Sequence, residues 1–272
     1  MTPAPRSAGE GGAPPLTVVT LLRRERARTL VRAAFPRRRA QLVAARSAEA
    51  VAEAMTTQLV DAVLVDGGAG EEAQRLVARA ADYPSIPTLL ITPLLPADAP
   101  LVGRAVAGGV ADLLVEGVDE AAARELVLRH AFTPRFERAL ATPPEGLRLG
   151  SPLQLAVWQA LVRRAGRPVR TDQLARELAV SREHLSRSFA VGEAPTLKRV
   201  IDLVRLMAAA ELAKNAALDL RHVARILGFA SASHLSATTQ RLVGTRASSL
   251  TRLRTVDLLQ RATAPGCFAP GS

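Results

Sequence analysis

Two polar side chains in the N-terminal half stand where chemistry is often found. Asp66 ends the apolar run 61–66, and Thr92 ends the apolar run 87–92. If both runs are strands of a parallel α/β sheet, ligands are expected just beyond their carboxyl ends. The glycine-rich turn 67–70 fits a phosphate cradle, although glycines after a strand more often only form the turn. Asp66 and Thr92 therefore mark the edge of the predicted sheet at which a ligand is expected.

An enzyme in this half would need more than these two groups. No histidine precedes His130, and the one cysteine of the chain is Cys267. General acid–base and thiol chemistry therefore lack their usual residues. We predict no enzymatic activity, no metal and no cofactor. A nucleotide or phosphoryl site at Asp66 is the enzymatic alternative.

A second group of residues occurs twice in the C-terminal half. The segment 174–178 has a counterpart at 223–227, and the segment 184–186 has one at 234–236. Each copy combines two short helical patterns, with Ser181 or Ser231 placed to cap the second helix. Two short helices joined by a tight turn form a helix-turn-helix. The repeat therefore predicts two helix-turn-helix units, and double-stranded DNA as the partner.

The second helix of each unit should read DNA bases from its exposed face. The alternative for each residue is a solvated helix face. In the second unit, Ser233, Ser236, Thr238 and Gln240 are expected to make softer contacts than a base-reading arginine would make. His184 and His234 are expected to pack or to contact phosphate rather than to bind metal. Residues predicted to be core are Leu185, Phe189, Phe229 and Leu235. The predicted DNA-binding residues are Arg182, Glu183, Ser186 and Arg187 in the first unit and Ala232, Ser233, Ser236 and Gln240 in the second.

The charge is concentrated where the repeat lies. The chain of 272 residues has a formal charge of +11. Residues 16–130 hold 14 basic and 14 acidic side chains, whereas residues 151–261 hold 18 and 8. Such an excess suits a segment that neutralises DNA phosphates. An architectural DNA binder with low sequence preference would show the same excess and is a second alternative.

The elements that must position these residues follow from hydrophobic periodicity. Five apolar runs alternate with helical patterns over 16–130, which predicts an α/β domain with a doubly wound parallel sheet. Residues 151–261 predict an all-α domain, with one long helix over 197–215 between the two units. The segment 131–150 is a predicted linker, helical and then exposed. The ends, 1–15 and 262–272, are predicted to be disordered. No apolar stretch is long enough for a membrane span, so a cytoplasmic protein is expected.

From about 155 to 254, the chain resembles the AraC/XylS family of bacterial transcription regulators. The resemblance implies two recognition helices per chain, each offered to a major groove. Departures fall in the second unit, at Ala237, Thr239 and Ala247, so the first unit is expected to dominate sequence reading. The residues that carry the resemblance are Leu174, Ala175, Ser181, His184, Leu185, Ser186, Arg187, Phe189, Arg205, Ala209, Ala224, Leu227, Gly228, Phe229, Ser233, His234, Leu235, Ser236 and Gly244.

The order of elements over 16–130 resembles the receiver domain of two-component response regulators. That resemblance implies phosphorylation of Asp66, with Thr92 near the phosphoryl group. The metal-binding acids of the family fall on Arg23 and Arg24, and its lysine falls on Glu116. We therefore predict a pseudo-receiver that is not phosphorylated, with an ion pair between Asp66 and an arginine. A conventional phospho-acceptor is the alternative, and a homodimer through this domain is expected.

Overall fold

The computed structural model describes residues 14–190 and 193–263. Cys267 and nearly all of the two segments predicted to be disordered lie outside the described residues. Ala262, predicted as the first residue of the C-terminal tail, lies within the described part of the chain. Ala262 is the last residue of a helix and is buried, because it packs into the core of the helical half.

The N-terminal half alternates strands and helices as predicted. Its elements are β1 (Leu16–Leu21), α1 (Glu25–Ala34), β2 (Ala40–Ala44), α2 (Ala48–Thr57), β3 (Ala62–Asp66), α3 (Glu71–Ala78), β4 (Thr88–Thr92), α4 (Ala99–Ala107), β5 (Asp112–Val115) and α5 (Ala123–His130).

The five strands form one parallel sheet in the order β2-β1-β3-β4-β5. This is one of the common doubly wound orders, and its ligand edge is the carboxyl end of the strands. Every residue of β3 and of β4 is buried. Because helices cover both faces of these central strands, their sequences are continuous apolar runs rather than alternating patterns.

The C-terminal half is helical, and α10 lies at its centre. Its helices are α6 (Phe132–Ala139), α7 (Pro152–Val162), α8 (Thr171–Glu177), α9 (Arg182–Ser188), α10 (Leu197–Ala213), α11 (Leu220–Ile226), α12 (Ala232–Val243) and α13 (Thr255–Ala262). Helix α10 contacts α7, α11, α12 and α13. Its long buried stripe explains why the sequence between the two units is so apolar.

The two predicted helix-turn-helix units are α8–α9 and α11–α12. Ser181 and Ser231 cap the second helices, each accepting a hydrogen bond from a histidine backbone N–H, at 3.1 and 3.0 Å. The N-cap of α8 is Arg170, and Thr171 is the first helical residue. The amide N–H of Arg170 donates to the Gln173 side chain at 3.0 Å.

The turns of the two units share an unusual backbone conformation. Ala179 has φ of 54° and Gly228 has φ of 67°, both in the left-handed region. A Cβ on Gly228 would lie 2.4 Å from Cγ of Pro168. Glycine is therefore required in the second turn by both conformation and space.

The segment predicted to be a linker is built into the core. Phe132 and Phe136 of α6 and the following Leu140 are buried, and Trp158 of α7 donates its indole N–H to the Leu140 carbonyl at 2.8 Å. The stretch after Leu140 is mostly exposed, as predicted, but Leu147 is fully buried. Of the two buried apolar clusters, one runs through both halves and the other lies within the N-terminal half. The predicted domain boundaries therefore stay predictions.

A buried carboxylate, that of Asp61, binds groups from both halves. Asp61, directly before β3, accepts the backbone N–H of Thr17 at 2.8 Å and that of Thr133 at 2.9 Å. Arg167, from the turn between α7 and α8, donates to the same carboxylate at 2.7 Å and to the Thr133 hydroxyl at 2.8 Å. The Asp61 side chain is fully buried and that of Arg167 is 15% exposed. The ion pair therefore crosses between the halves in a water-poor setting.

Two further contacts lie at this amino-terminal end of the sheet. Asn215, fully buried after α10, accepts the Ser85 amide N–H at 3.0 Å and donates to the Ser85 hydroxyl at 2.6 Å. Helix α2 also packs against α11, the first helix of the second unit. The helical half thus docks on the end of the sheet opposite Asp66.

Removing the cation from the ion pair of Asp61 and Arg167 should destabilise the protein. We expect Arg167→Met to cost about 3–5 kcal/mol of unfolding free energy, because it leaves the Asp61 carboxylate buried without its counter-charge. Urea denaturation followed by circular dichroism measures the change. The matched control is Arg170→Met, which removes an arginine that is 81% exposed and should change stability little. Equal stability of the two variants would contradict the assignment.

Candidate functional sites

The carboxyl end of β3 places Asp66 in a ring of donors. Its side chain is fully buried. One oxygen accepts the backbone N–H of Arg23 at 2.9 Å and that of Arg24 at 2.6 Å. The other accepts the Gly68 amide at 2.8 Å. The loop after β1 and the turn after β3 are therefore both tied to this carboxylate.

The guanidinium of Arg24 fills the space in front of Asp66. It lies 2.5 Å from the Asp66 carboxylate and 2.9 Å from that of Glu116, and it also donates to the Ile91 carbonyl at 3.3 Å. The Glu116 side chain is only 4% exposed. The predicted ion pair between Asp66 and an arginine is thus present. The sequence did not predict that Glu116 joins this ion pair. Arg24 binds the carboxylates of both Asp66 and Glu116.

The glycine-rich turn makes room for this arginine. A Cβ on Gly68 would lie 2.7 Å from Nε of Arg24 and 2.8 Å from its Cδ. The turn therefore receives a guanidinium at the position where the sequence suggested a phosphate. The local sequence around Arg24 does not predict this contact. The contact forms only because β1, β3 and β5 end at the same edge of the sheet.

The ion pair alters the titration of Asp66. Burial raises its pKa, but the hydrogen bonds from the Arg24 backbone and side chain, from Gly68 and from Arg23 outweigh that effect. The net result is a pKa below the ordinary value of 3.8. Asp66 is held as a carboxylate at neutral pH, with its lone pairs already directed at donors.

Thr92 lies at the neighbouring strand end but is engaged elsewhere. Its hydroxyl donates to Asp98 at 2.8 Å and accepts the Leu94 amide at 3.0 Å. These bonds shape the loop between β4 and α4. Within residues 14–190 and 193–263, no group of three His, Cys, Asp or Glu side chains is arranged to hold a metal ion.

In the first helix-turn-helix unit, all the predicted DNA-binding residues are on the surface. Arg182, Glu183, Ser186 and Arg187 are exposed on α9. The two predicted core residues of this unit, Leu185 and Phe189, are buried. The helix thus presents a polar face to solvent and fixes the opposite face to the core.

The second unit offers a narrower polar face. On α12, Ser233 and Gln240 are exposed, whereas Ala232 and Ser236 are half-buried. The Ser236 hydroxyl donates to the Ala232 carbonyl at 3.0 Å. Thr238, which was expected to make a softer contact with DNA, is only 2% exposed, because α12 turns this position toward the core.

The remaining predictions for this unit concern aromatic and imidazole rings. Leu235 and Phe229 are buried, as predicted for core residues. His234 is exposed and its ring lies edge-on to Phe229, with centroids 5.8 Å apart. Its counterpart in the first unit, His184, is exposed.

A charge network that the sequence did not indicate, with Asp202 buried and Arg241 about half exposed, orients α12. Asp202 of α10 pairs with Arg241 of α12 at 2.9 Å and lies 3.7 Å from Arg205. Arg205 stacks over the Phe229 ring at 4.0 Å and donates to the Leu227 carbonyl at 2.9 Å. Burial lowers the pKa of Arg205, and Asp202 opposes that shift. The central helix therefore holds both the turn and the second helix of the unit.

Comparison with known proteins identifies the helical half. Residues 174–252 match the family described as a helix-turn-helix domain. The matched segment begins inside α8 and ends with the turn after α12, so it contains both units. The search of curated proteins found no match.

Among solved structures, the full-length FixJ from B. japonicum is similar over 82% of this chain and 95% of its own. The identity is 17% and the TM-score is 0.35, which carries no argument for fold or function.

The matched domain gives the class of the helical half. The chain carries a helix-turn-helix domain of the AraC type, a DNA-binding domain of transcription regulators. It is joined to a receiver-like α/β half with a five-stranded parallel sheet. Across the part of the chain that the structure describes, no helix is long and apolar enough to cross a membrane.

Proposed function

We propose that the protein is a sequence-specific transcription regulator that reads two successive major grooves with α9 and α12. The observation that carries this proposal is the duplication: two units with the same cap, the same turn conformation and an exposed polar face, in the basic half of the chain. Helix α10 has 17 residues, about 25 Å at 1.5 Å per residue. It is a rigid spacer between two helices that must lie about 34 Å apart to meet adjacent grooves.

The surface beside α9 is suited to the DNA backbone. A concave patch there has an apolar floor of Phe189, Ala190 and Leu197, and its polar side chains are Thr171, Arg182, Ser186, Thr196 and Lys198. Its two cations and its hydroxyl groups are the donors that phosphate oxygens take. Backbone contacts of this kind would set the register of α9, and its remaining face would read bases.

The first unit should contribute most of the DNA sequence specificity. The substitution Arg187→Ala tests whether this unit reads bases. We expect Arg187→Ala to weaken specific binding by about 5- to 150-fold, the loss typical of one base-reading arginine. A footprint on the DNA upstream of the protein's own gene locates the site, and gel-shift titration measures the affinity. Arg26→Ala, which removes the same charge from α1, is the control.

Two outcomes would contradict this proposal. Unchanged affinity of Arg187→Ala would remove this arginine from the DNA interface. Protection of DNA without any sequence preference would favour the architectural alternative.

We further propose that the receiver-like half works without phosphorylation and that the chain is not an enzyme. Phosphoryl transfer to an aspartate needs a metal ion to neutralise the developing charge and an open path for in-line attack. Arg24 supplies a fixed cation but no ligand oxygens, and its side chain stands in front of the acceptor. The Glu116 carboxylate would also repel an incoming phosphoryl group.

Incubation with acetyl phosphate and Mg²⁺ tests this directly. We expect intact-mass spectrometry to show no phosphoryl adduct on the full chain. Asp66→Asn is the matched control, because it removes the acceptor and leaves other sites unchanged. An adduct that forms on the parent protein and disappears in Asp66→Asn would establish the conventional phospho-acceptor instead.

We also propose a homodimer through the N-terminal half. Among the described residues of this half, the large exposed apolar side chains are Leu94, Leu95, Val106 and Val118, which fall between β4 and α5, next to the edge strand β5. A second copy would bury them. We expect sedimentation velocity to show a dimer at micromolar concentration and Val106→Glu with Val118→Glu to shift it to monomer. A parent protein that is monomeric throughout would refute this proposal.

A further inference from the structure

A cavity of about 170 Å³ lies where the two halves meet. Ser85 lines it from the loop before β4, and Phe132, Arg135 and Phe136 line it from α6. Glu211 of α10 and Thr255 of α13 close the other side. The cavity exists only because the sheet, the connecting helix and the helical half come together here.

The wall formed by α6 is aromatic. The rings of Phe132 and Phe136 lie nearly parallel, at 11°, with centroids 6.1 Å apart. Cavities of about 150 Å³ with apolar walls take a molecule the size of benzene. This cavity therefore has room for one aromatic ring with a small substituent, and not for a nucleotide or a peptide.

The polar groups around the cavity differ in what they can still bind. Glu211 already accepts from Lys214 at 2.6 Å and from the Thr255 hydroxyl at 3.1 Å. Ser85 is engaged by Asn215. Arg135 is exposed and, among the residues that the structure describes, its guanidinium makes no hydrogen bond or ion pair, while its backbone N–H donates to the Ala131 carbonyl within the helix. The uncommitted charge at the cavity is thus a guanidinium, whose planar donors match a carboxylate.

We propose that this cavity binds a small aromatic carboxylic acid. The ring lies against Phe132 and Phe136, and the carboxylate pairs with Arg135. Binding would stabilise the docked arrangement of the two halves, because Ser85 of the wall is also bonded to Asn215 across the junction. The site does not depend on the DNA-binding proposal, and its test does not use DNA.

The probe is 4-fluorobenzoate, followed by ¹⁹F NMR titration on the full chain. We expect saturable binding that unlabelled benzoate displaces. Arg135→Gln should weaken binding about tenfold or more, the loss expected for a charged hydrogen bond. Ala139→Trp, which places a large ring in the cavity wall, should abolish binding.

The controls separate the charge and the ring from general effects. Arg138→Gln removes an exposed arginine of the same helix that bonds to the Arg129 carbonyl instead, and it should bind as the parent does. The neutral 4-fluorobenzyl alcohol should bind more weakly than the acid and be insensitive to Arg135→Gln. Circular dichroism confirms that each variant is folded.

Three results would overturn the proposal. The first is no saturable binding of the fluorinated acid at millimolar concentration. The second is equal binding by Arg135→Gln and by the parent, which would put the acid elsewhere. The third is equal affinity for the acid and the alcohol, which would exclude a carboxylate site.

Discussion

The carboxylate of Asp61 is the interaction on which the arrangement of the molecule depends. It is fully buried, and it holds the start of β1, the start of α6 and the turn before α8 through three donors. A buried carboxylate is costly unless each oxygen has a partner. The sheet, the connecting helix and the helical half must therefore assemble together, since each supplies one of these partners.

The two ends of the sheet have opposite roles. At the amino-terminal end, Asp61, Ser85 and Asn215 join the halves through hydrogen bonds that cross between them. At the carboxyl end, where a parallel sheet usually binds its ligand, Arg24 holds Asp66 and Glu116 together. The ion pair occupies this edge and connects the loops that follow β1, β3 and β5. Its role here is therefore structural. The cavity proposed to bind a ligand lies instead at the junction of the two halves, at the amino-terminal end of the sheet.

How much the sequence predicted depends on the range of the contacts. The strands and the two helix-turn-helix units are local features, so apolar runs, Ser181, Ser231 and the repeat were sufficient to predict them. An arginine was predicted as the partner of Asp66 because Arg23 and Arg24 stand where receiver domains carry acidic residues. Asp61 and Arg167 were not recognised, because they are 106 residues apart and each is unremarkable in its own segment. Thr238 shows the same limit within a helix, since its burial depends on how α10 orients α12.

The placement of the second unit has a consequence for the first. Helix α2 packs against α11, whereas α9 packs against α7 and α8. The charge network of Asp202 then ties α12 to α10, so the receiver-like half is connected to the second recognition helix through α11 and the central helix. The first unit reaches that half through Arg167 and α6. A change at the junction would therefore reach the two recognition helices through different contacts, with α10 between them as the shared element.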